Sequence, residues 1–98
     1  MFFPKIAVLI SGSGSNLQAI IDNGIPVALV VSDRPDAYGV ERAIKANVKN
    51  VVVDRKLYKG EREKFTNEIV KQLQANKIEL VIFAGFMTIL TNKIVELY

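Results

Sequence analysis

Ile6-Ala7-Val8-Leu9-Ile10-Ser11-Gly12-Ser13-Gly14-Ser15-Asn16-Leu17-Gln18-Ala19-Ile20-Ile21 is the stretch whose reading decides the fold. Five consecutive apolar residues with β-branched members, ended by a Ser/Gly run, match a strand covered on both faces, as in a parallel sheet. The next apolar residues are spaced for a helix. Asn16 is placed to cap it, and Asn23-Gly24 to close it. Between strand and helix lies a turn of glycines and hydroxyls.

The same alternation continues outward. Val27 to Val31, Val51 to Val53 and Leu80 to Phe83 read as further strands. Helical patterns separate them: Tyr38 to Asn47, with Ala43 and Ala46 on a narrow apolar face, and a longer one from about Gly60 to Asn76. In the longer one Phe65, Ile69, Val70 and Leu73 form a stripe with the helical repeat. Thr91 is placed to start a fourth helix running to Tyr98. Strands joined through helices imply right-handed crossovers and a parallel sheet. The expected fold is therefore an α/β, doubly wound, Rossmann-like sheet of four strands in the order 3-2-1-4. Residues 1–98 are read as one unit, without repeats, low-complexity tracts or linkers. Ligands in such sheets bind at the carboxyl ends of strands beside the switch in strand order. Here that switch lies between strands 1 and 4, so the loops after Ile10 and Phe83 face one crevice. With the last helix ending at Tyr98, strand 4 is left as an apolar edge, a pairing hazard unless something covers it. The chain reads as a portion of something larger.

Composition narrows the chemistry. The 98 residues carry a net charge of +3, half are apolar and 23% are charged, which suits a globular domain. Lys and Arg are interleaved with acids, as in Glu61-Arg62-Glu63-Lys64, so there is no basic stripe for nucleic acid. No cysteine means no disulfide, thiolate nucleophile or sulfur-ligated zinc. No histidine removes the commonest general base at neutral pH. The run Ile6 to Ile10 is too short to span a bilayer and lacks a signal-peptide cleavage pattern. A soluble, cytoplasmic protein is expected.

The turn Ser11 to Asn16 is the best candidate for binding. Glycines allow close backbone approach and positive φ. Free N–H groups and the helix dipole favour an anion, the dipole by about 0.3–2 kcal/mol. Ser13, Ser15 and Asn16 add side-chain donors. The bland alternative is a tight connection with no ligand; the position at the end of strand 1 favours phosphate. A dinucleotide fits less well, because Leu17 occupies the third glycine position of that fingerprint. No Walker lysine follows, which argues against a nucleoside triphosphate. Asp33 at the end of strand 2 is placed to hold a ribose hydroxyl, but Arg34-Pro35 after it reads as a plain turn. The segment Ala84-Gly85-Phe86-Met87-Thr88-Ile89-Leu90 reads as core or, beside the phosphate turn, as a pocket wall for a flat organic ligand.

These segments together resemble the phosphoribosylglycinamide formyltransferase family, folate-dependent enzymes of purine synthesis. Ser11 to Ile21 looks like the family's opening motif. Val31-Ser32-Asp33 with Ala37-Tyr38-Gly39-Val40-Glu41-Arg42-Ala43 is similar to its second strand and helix. Ala84-Gly85-Phe86-Met87 with Ile89-Leu90 resembles its fourth strand and folate loop. The resemblance runs the length of the chain. It implies that Gly14, Ser15 and Asn16 grip the phosphate of glycinamide ribonucleotide. It also implies that Met87, Thr88, Ile89 and Leu90 hold the pterin of 10-formyltetrahydrofolate through backbone contacts. Arg62 matches the arginine that contacts the folate; as a helix residue in a mixed-charge run it is equally readable as solvated. Thr88 stands where an arginine is common in the family, and the first helix, passing quickly through Ile21 to Pro26, is short for it. The family's formyl transfer relies on an asparagine and a histidine on the next strand and an aspartate beyond. No catalytic residue is therefore expected here, and the chain is read as the substrate-phosphate half, inactive alone. Two other readings stay open. One is a binding or assembly module that self-associates or docks a complementing chain through the strand-4 edge. The other is a small nucleotide-binding protein using Gly12 to Asn16 and Asp33.

Overall fold

The computed structural model describes residues 4–86, 90, 94 and 97. Four parallel strands, β1 (Ile6–Ile10), β2 (Leu29–Ser32), β3 (Asn50–Val52) and β4 (Leu80–Phe83), lie in the order β3-β2-β1-β4. Between them run α1 (Ser15–Asp22), α2 (Tyr38–Lys45) and α3 (Arg62–Ala75). The expected strand order and alternation are both present.

β1 organises the sheet because all five of its residues are buried. Successive strand side chains point to opposite faces. Ile6, Val8 and Ile10 join Val30, Leu17 of α1 and Ala43 of α2 in one cluster. Ala7 and Leu9 join Leu29, Val31 and the α3 residues Phe65, Ile69 and Leu73 in the other. One face thus carries α1 and α2, the other α3. The α3 stripe read from the sequence is buried as expected, with Thr66 added to it. The expected helix from Thr91 to Tyr98 falls largely outside the described residues, although Ile94 is buried in the α3-side cluster.

β1 and β4 end where the sequence reading put them, and the other element ends differ by at most two residues. β2 starts at Leu29 rather than Val27, and β3 begins at Asn50 and stops at Val52. α1, α2 and α3 close with the same paired bonds, five-to-two and six-to-one, of a Schellman ending. In α2 the Asn47 N–H donates to the Ile44 carbonyl at 3.0 Å and the Val48 N–H to the Ala43 carbonyl at 2.8 Å. Asn47 is left-handed there, at φ 58°, so it follows the helix instead of belonging to it. A 3₁₀ turn at Arg55–Tyr58, absent from the sequence reading, carries the chain from β3 to α3. The Asp54 carboxylate caps it by accepting the Lys56 N–H at 3.0 Å.

β4 is an edge strand among the described residues, and it is as exposed as the sequence led one to expect. Leu80 and Phe83 keep 43% and 52% of their surface. Among the described residues no helix is long and apolar enough to cross a membrane.

Leu17 is the one residue of α1 that is fully buried. Leu17→Ala should lower unfolding free energy by about 2–5 kcal/mol, as for other buried leucines. Urea denaturation checks this, and a loss below about 1 kcal/mol would contradict the packing described.

Candidate phosphate-binding site

The chain leaves β1 at its carboxyl end and enters α1 within four residues, Ser11 to Gly14. Gly14 occupies the cap position in the left-handed region, φ 75° and ψ 21°, and no side chain caps the helix. Asn16 is therefore not the cap that the sequence suggested. A side-chain cap needs extended backbone before the first turn, whereas left-handed Gly14 starts the helix at Ser15 and makes Asn16 its second residue.

The outer side of this turn is rich in donors. Ser13, Ser15 and Asn16 are exposed, while Gly14 is buried. Among the described residues, none accepts from the N–H groups of Ser13, Gly14, Ser15 or Asn16. The first turn of α1 holds no acidic residue, whereas those of α2 and α3 hold Glu41 and Glu63. Unshared N–H groups at a helix N-terminus, without a competing carboxylate, form an anion site.

The inner side is filled by α2. A Cβ on Gly14 would stand 2.5 Å from the Gly39 Cα, and one on Gly39 would collide with Ile10 Cδ1. The Gly39 N–H donates to the Gly12 carbonyl at 3.0 Å. Arg42 donates Nε–H to the Ser13 carbonyl at 2.7 Å and Nη1–H to Gln18 Oε1 at 3.2 Å. Its guanidinium also lies 4.9 Å from the Tyr38 ring centroid. Sequence reading missed Arg42. Its partner is 29 positions away, and the only local signal was its spacing three residues after a helical glycine.

The other candidate residues surround the same edge of the sheet. The Ala84 N–H donates to the Leu9 carbonyl at 2.9 Å, so the loop after β4 leaves beside the end of β1. Phe86 and Leu90 are partly buried against the α3-side cluster. Met87, Thr88 and Ile89 lie outside the described residues. Arg62 is exposed at the first residue of α3, which the chain enters from the carboxyl end of β3. By topology Arg62 stands at the same edge as the turn but on the opposite face of the sheet. Among the described residues no hydrogen bond or ion pair joins it to Gly14, Ser15 or Asn16.

Asp33 serves another purpose than the nucleotide reading required. It is completely buried, with Oδ2 3.9 Å from Arg55 Nη1, and its carbonyl accepts the Arg55 N–H at 3.0 Å. It fastens the 3₁₀ turn to β2 and is closed to a ribose. The following residues form the plain turn expected. Ser32 Oγ bonds the Arg34 backbone, and Arg34 grips Asp36 with two hydrogen bonds of 3.1 Å. Those bonds hold the Asp36 carboxyl below the usual carboxylate range. Among the described residues no group of three or more side chains is arranged to hold a metal ion.

A doubly wound parallel sheet with an uncapped, donor-lined helix N-terminus at its switch point defines an α/β unit with a candidate anion site. Comparison with known proteins narrows this class. Residues 4–98 match the family model described as formyl transferase, and the chain belongs to that family. It is 43% identical over 98 residues to a phosphoribosylglycinamide formyltransferase of Haemophilus influenzae, covering 94% of this chain and 46% of that protein. It is 39% identical over 100 residues to a trifunctional purine biosynthetic protein adenosine-3 of Drosophila melanogaster, covering 94% of this chain and 7% of that protein. Among solved structures, glycinamide ribonucleotide transformylase 1 from Symbiobacterium toebii superposes with a TM-score of 0.90 at 40% identity. That match covers 98% of this chain and 48% of the other. The phosphoribosylglycinamide formyltransferase of Streptococcus pneumoniae gives 0.89 at 35% identity, over 98% and 52%. The chain thus spans about half the length of the single-function relatives it matches.

The two turn glycines make a discriminating pair. Left-handed backbone costs a non-glycine residue about 1–2 kcal/mol, and at Gly14 the close Gly39 backbone adds to that. Gly14→Ala should therefore lower stability by about 2 kcal/mol or more. At Gly12 nothing lies within 4 Å of an added Cβ, so Gly12→Ala should change stability by about 0.5 kcal/mol or less. Equal denaturation midpoints for the two variants would contradict this geometry.

Proposed function

We propose that residues 1–98 act as one phosphate-binding unit of a phosphoribosylglycinamide formyltransferase of purine biosynthesis. In this reading Gly14, Ser15 and Asn16 hold the phosphate of glycinamide ribonucleotide. The observation that carries it is the run of unshared N–H groups from Ser13 to Asn16 at an uncapped helix start. Charge-assisted hydrogen bonds from such groups are about twice as strong as neutral ones. The Arg42 guanidinium behind the Ser13 carbonyl adds positive potential to the same turn.

The formyl donor, 10-formyltetrahydrofolate, is assigned to the neighbouring loop, with Met87, Thr88, Ile89 and Leu90 along it and Arg62 at the rim. What supports this assignment is the loop's departure beside β1, its apolar flank of Phe86 and Leu90, and an exposed cation at the same edge of the sheet. Apolar walls with a few polar groups suit a flat ring. A free cation suits the acidic end of a folate. The donor supplies the one-carbon group when bound; these residues only bind and orient it. The cellular location that goes with this reading is the cytoplasm.

Formyl transfer needs a proton moved between amine and leaving group and charge stabilised at a tetrahedral carbon. With no histidine in its 98 residues, the chain is assigned binding and not proton transfer. Calorimetry should find that glycinamide ribonucleotide binds, that inorganic phosphate competes with it, and that formyl transfer by the 98-residue chain stays at background. Absence of binding by either compound would refute the phosphate site. Robust turnover would refute the assignment of binding alone.

A further inference from the structure

The outer N–H groups of the turn point where they do because α2 holds the turn from behind. Two consecutive carbonyls are occupied there, Gly12 by the Gly39 N–H and Ser13 by the Arg42 Nε–H. A trans peptide is planar, with its C=O and N–H on opposite sides. Turning the Gly12 carbonyl toward α2 therefore turns the Ser13 N–H away from it. Turning the Ser13 carbonyl does the same for the Gly14 N–H.

We propose that Arg42, with Gly39, is a positioning residue that fixes these two peptides so that the Ser13 and Gly14 N–H groups face the phosphate. This rests on the phosphate reading above and deepens it. Gly39 sets the distance: a Cβ there would stand 3.2 Å from Gly14 Cα and 3.4 Å from the Gly12 oxygen, besides colliding with Ile10. Arg42 sets the direction. Gln18 and Tyr38 hold its guanidinium in place, one from α1 and one from α2. The bond to Ser13 comes from Nε, in the rigid plane of the fork, and a lysine has no donor at that position. Without Arg42 the Ser13–Gly14 peptide, flanked by glycine, is free to flip, and a flipped peptide presents its carbonyl to the anion. Two successive N–H groups aimed at one point form an anion-binding concavity, and losing one of them removes a charge-assisted bond.

The test compares the wild-type 98-residue chain with Arg42→Ala, Arg42→Lys and Arg42→Gln, using inorganic phosphate as probe. Affinity is followed together with the backbone amide resonances. Wild type should bind. Arg42→Ala should bind about tenfold more weakly or worse. In its phosphate-free spectrum, Ser13 and Gly14 amides should move while those of α3 and β4 keep their places. Ethylguanidinium added to Arg42→Ala should recover part of the affinity, and Arg42→Lys should remain weak. Arg42→Gln keeps the fold question separate, since it retains two of the three stem methylenes and a neutral donor. Wild type that binds while Arg42→Ala binds equally well overturns the positioning role and leaves the phosphate site standing. Shifts spread through α3 and β4 in both Arg42→Ala and Arg42→Gln, without rescue, overturn it in favour of a merely structural arginine. Wild type that binds no phosphate overturns the site itself and the positioning role with it.

Discussion

Gly14 and Gly39 meet backbone to backbone, and the rest of the site depends on that contact. It brings the N-terminus of α2 against the turn that follows β1. A side chain at either position would separate the two helix starts by the width of a methyl group. The Gly39 bond to Gly12 and the Arg42 bond to Ser13 would then be out of reach. The contact has a cost, since Gly14 is held at positive φ and glycine loses the most chain entropy on folding. That cost is offset by the buried sheet around it: all five residues of β1 and all four of β2 are buried.

The sheet in turn explains why the turn stands where a ligand can reach it. β1 is central, flanked by β2 and β4, and the chain leaves it toward α1 on one face. The loop after β4 starts toward the other face, where Phe86 packs against the cluster that holds α3. Loops that depart to opposite faces from neighbouring strands leave a gap between them. The donors from Ser13 to Asn16 line one side of this gap, and the loop after Ala84 begins the other. Family membership fits this division of labour, and so does the composition, which supplies backbone donors and apolar walls but no histidine or cysteine.

The features legible in the sequence were those that local chemistry decides. Continuous apolar runs marked β1 and β4, the Phe65–Ile69–Leu73 stripe marked α3, and Gly-Ser richness marked the turn. Strand–helix alternation marked a parallel sheet, and the order expected of a doubly wound one, 3-2-1-4, is the order found. What stayed hidden depends on contacts between distant residues. Asn16 has the right side chain for a cap, but the cap position is decided by how Gly14 abuts Gly39. Asp33 looked available to a ribose because its burial under the 3₁₀ turn and its Arg55 partner cannot be read from neighbours in sequence. Asp54 before the 3₁₀ turn was a usable signal, being an acceptor two residues ahead of the N–H it bonds. Arg42 had no comparable mark, since the carbonyl it bonds lies on another helix's approach, 29 positions away.

The most direct measurement is a ¹H–¹⁵N correlation spectrum of the chain titrated with glycinamide ribonucleotide. The account requires dispersed resonances and shifts concentrated on the amides of Ser13, Gly14, Ser15 and Asn16. A dispersed spectrum in which those four amides stay fixed at saturating ligand would contradict it, leaving the turn as a connection between β1 and α1 and nothing more.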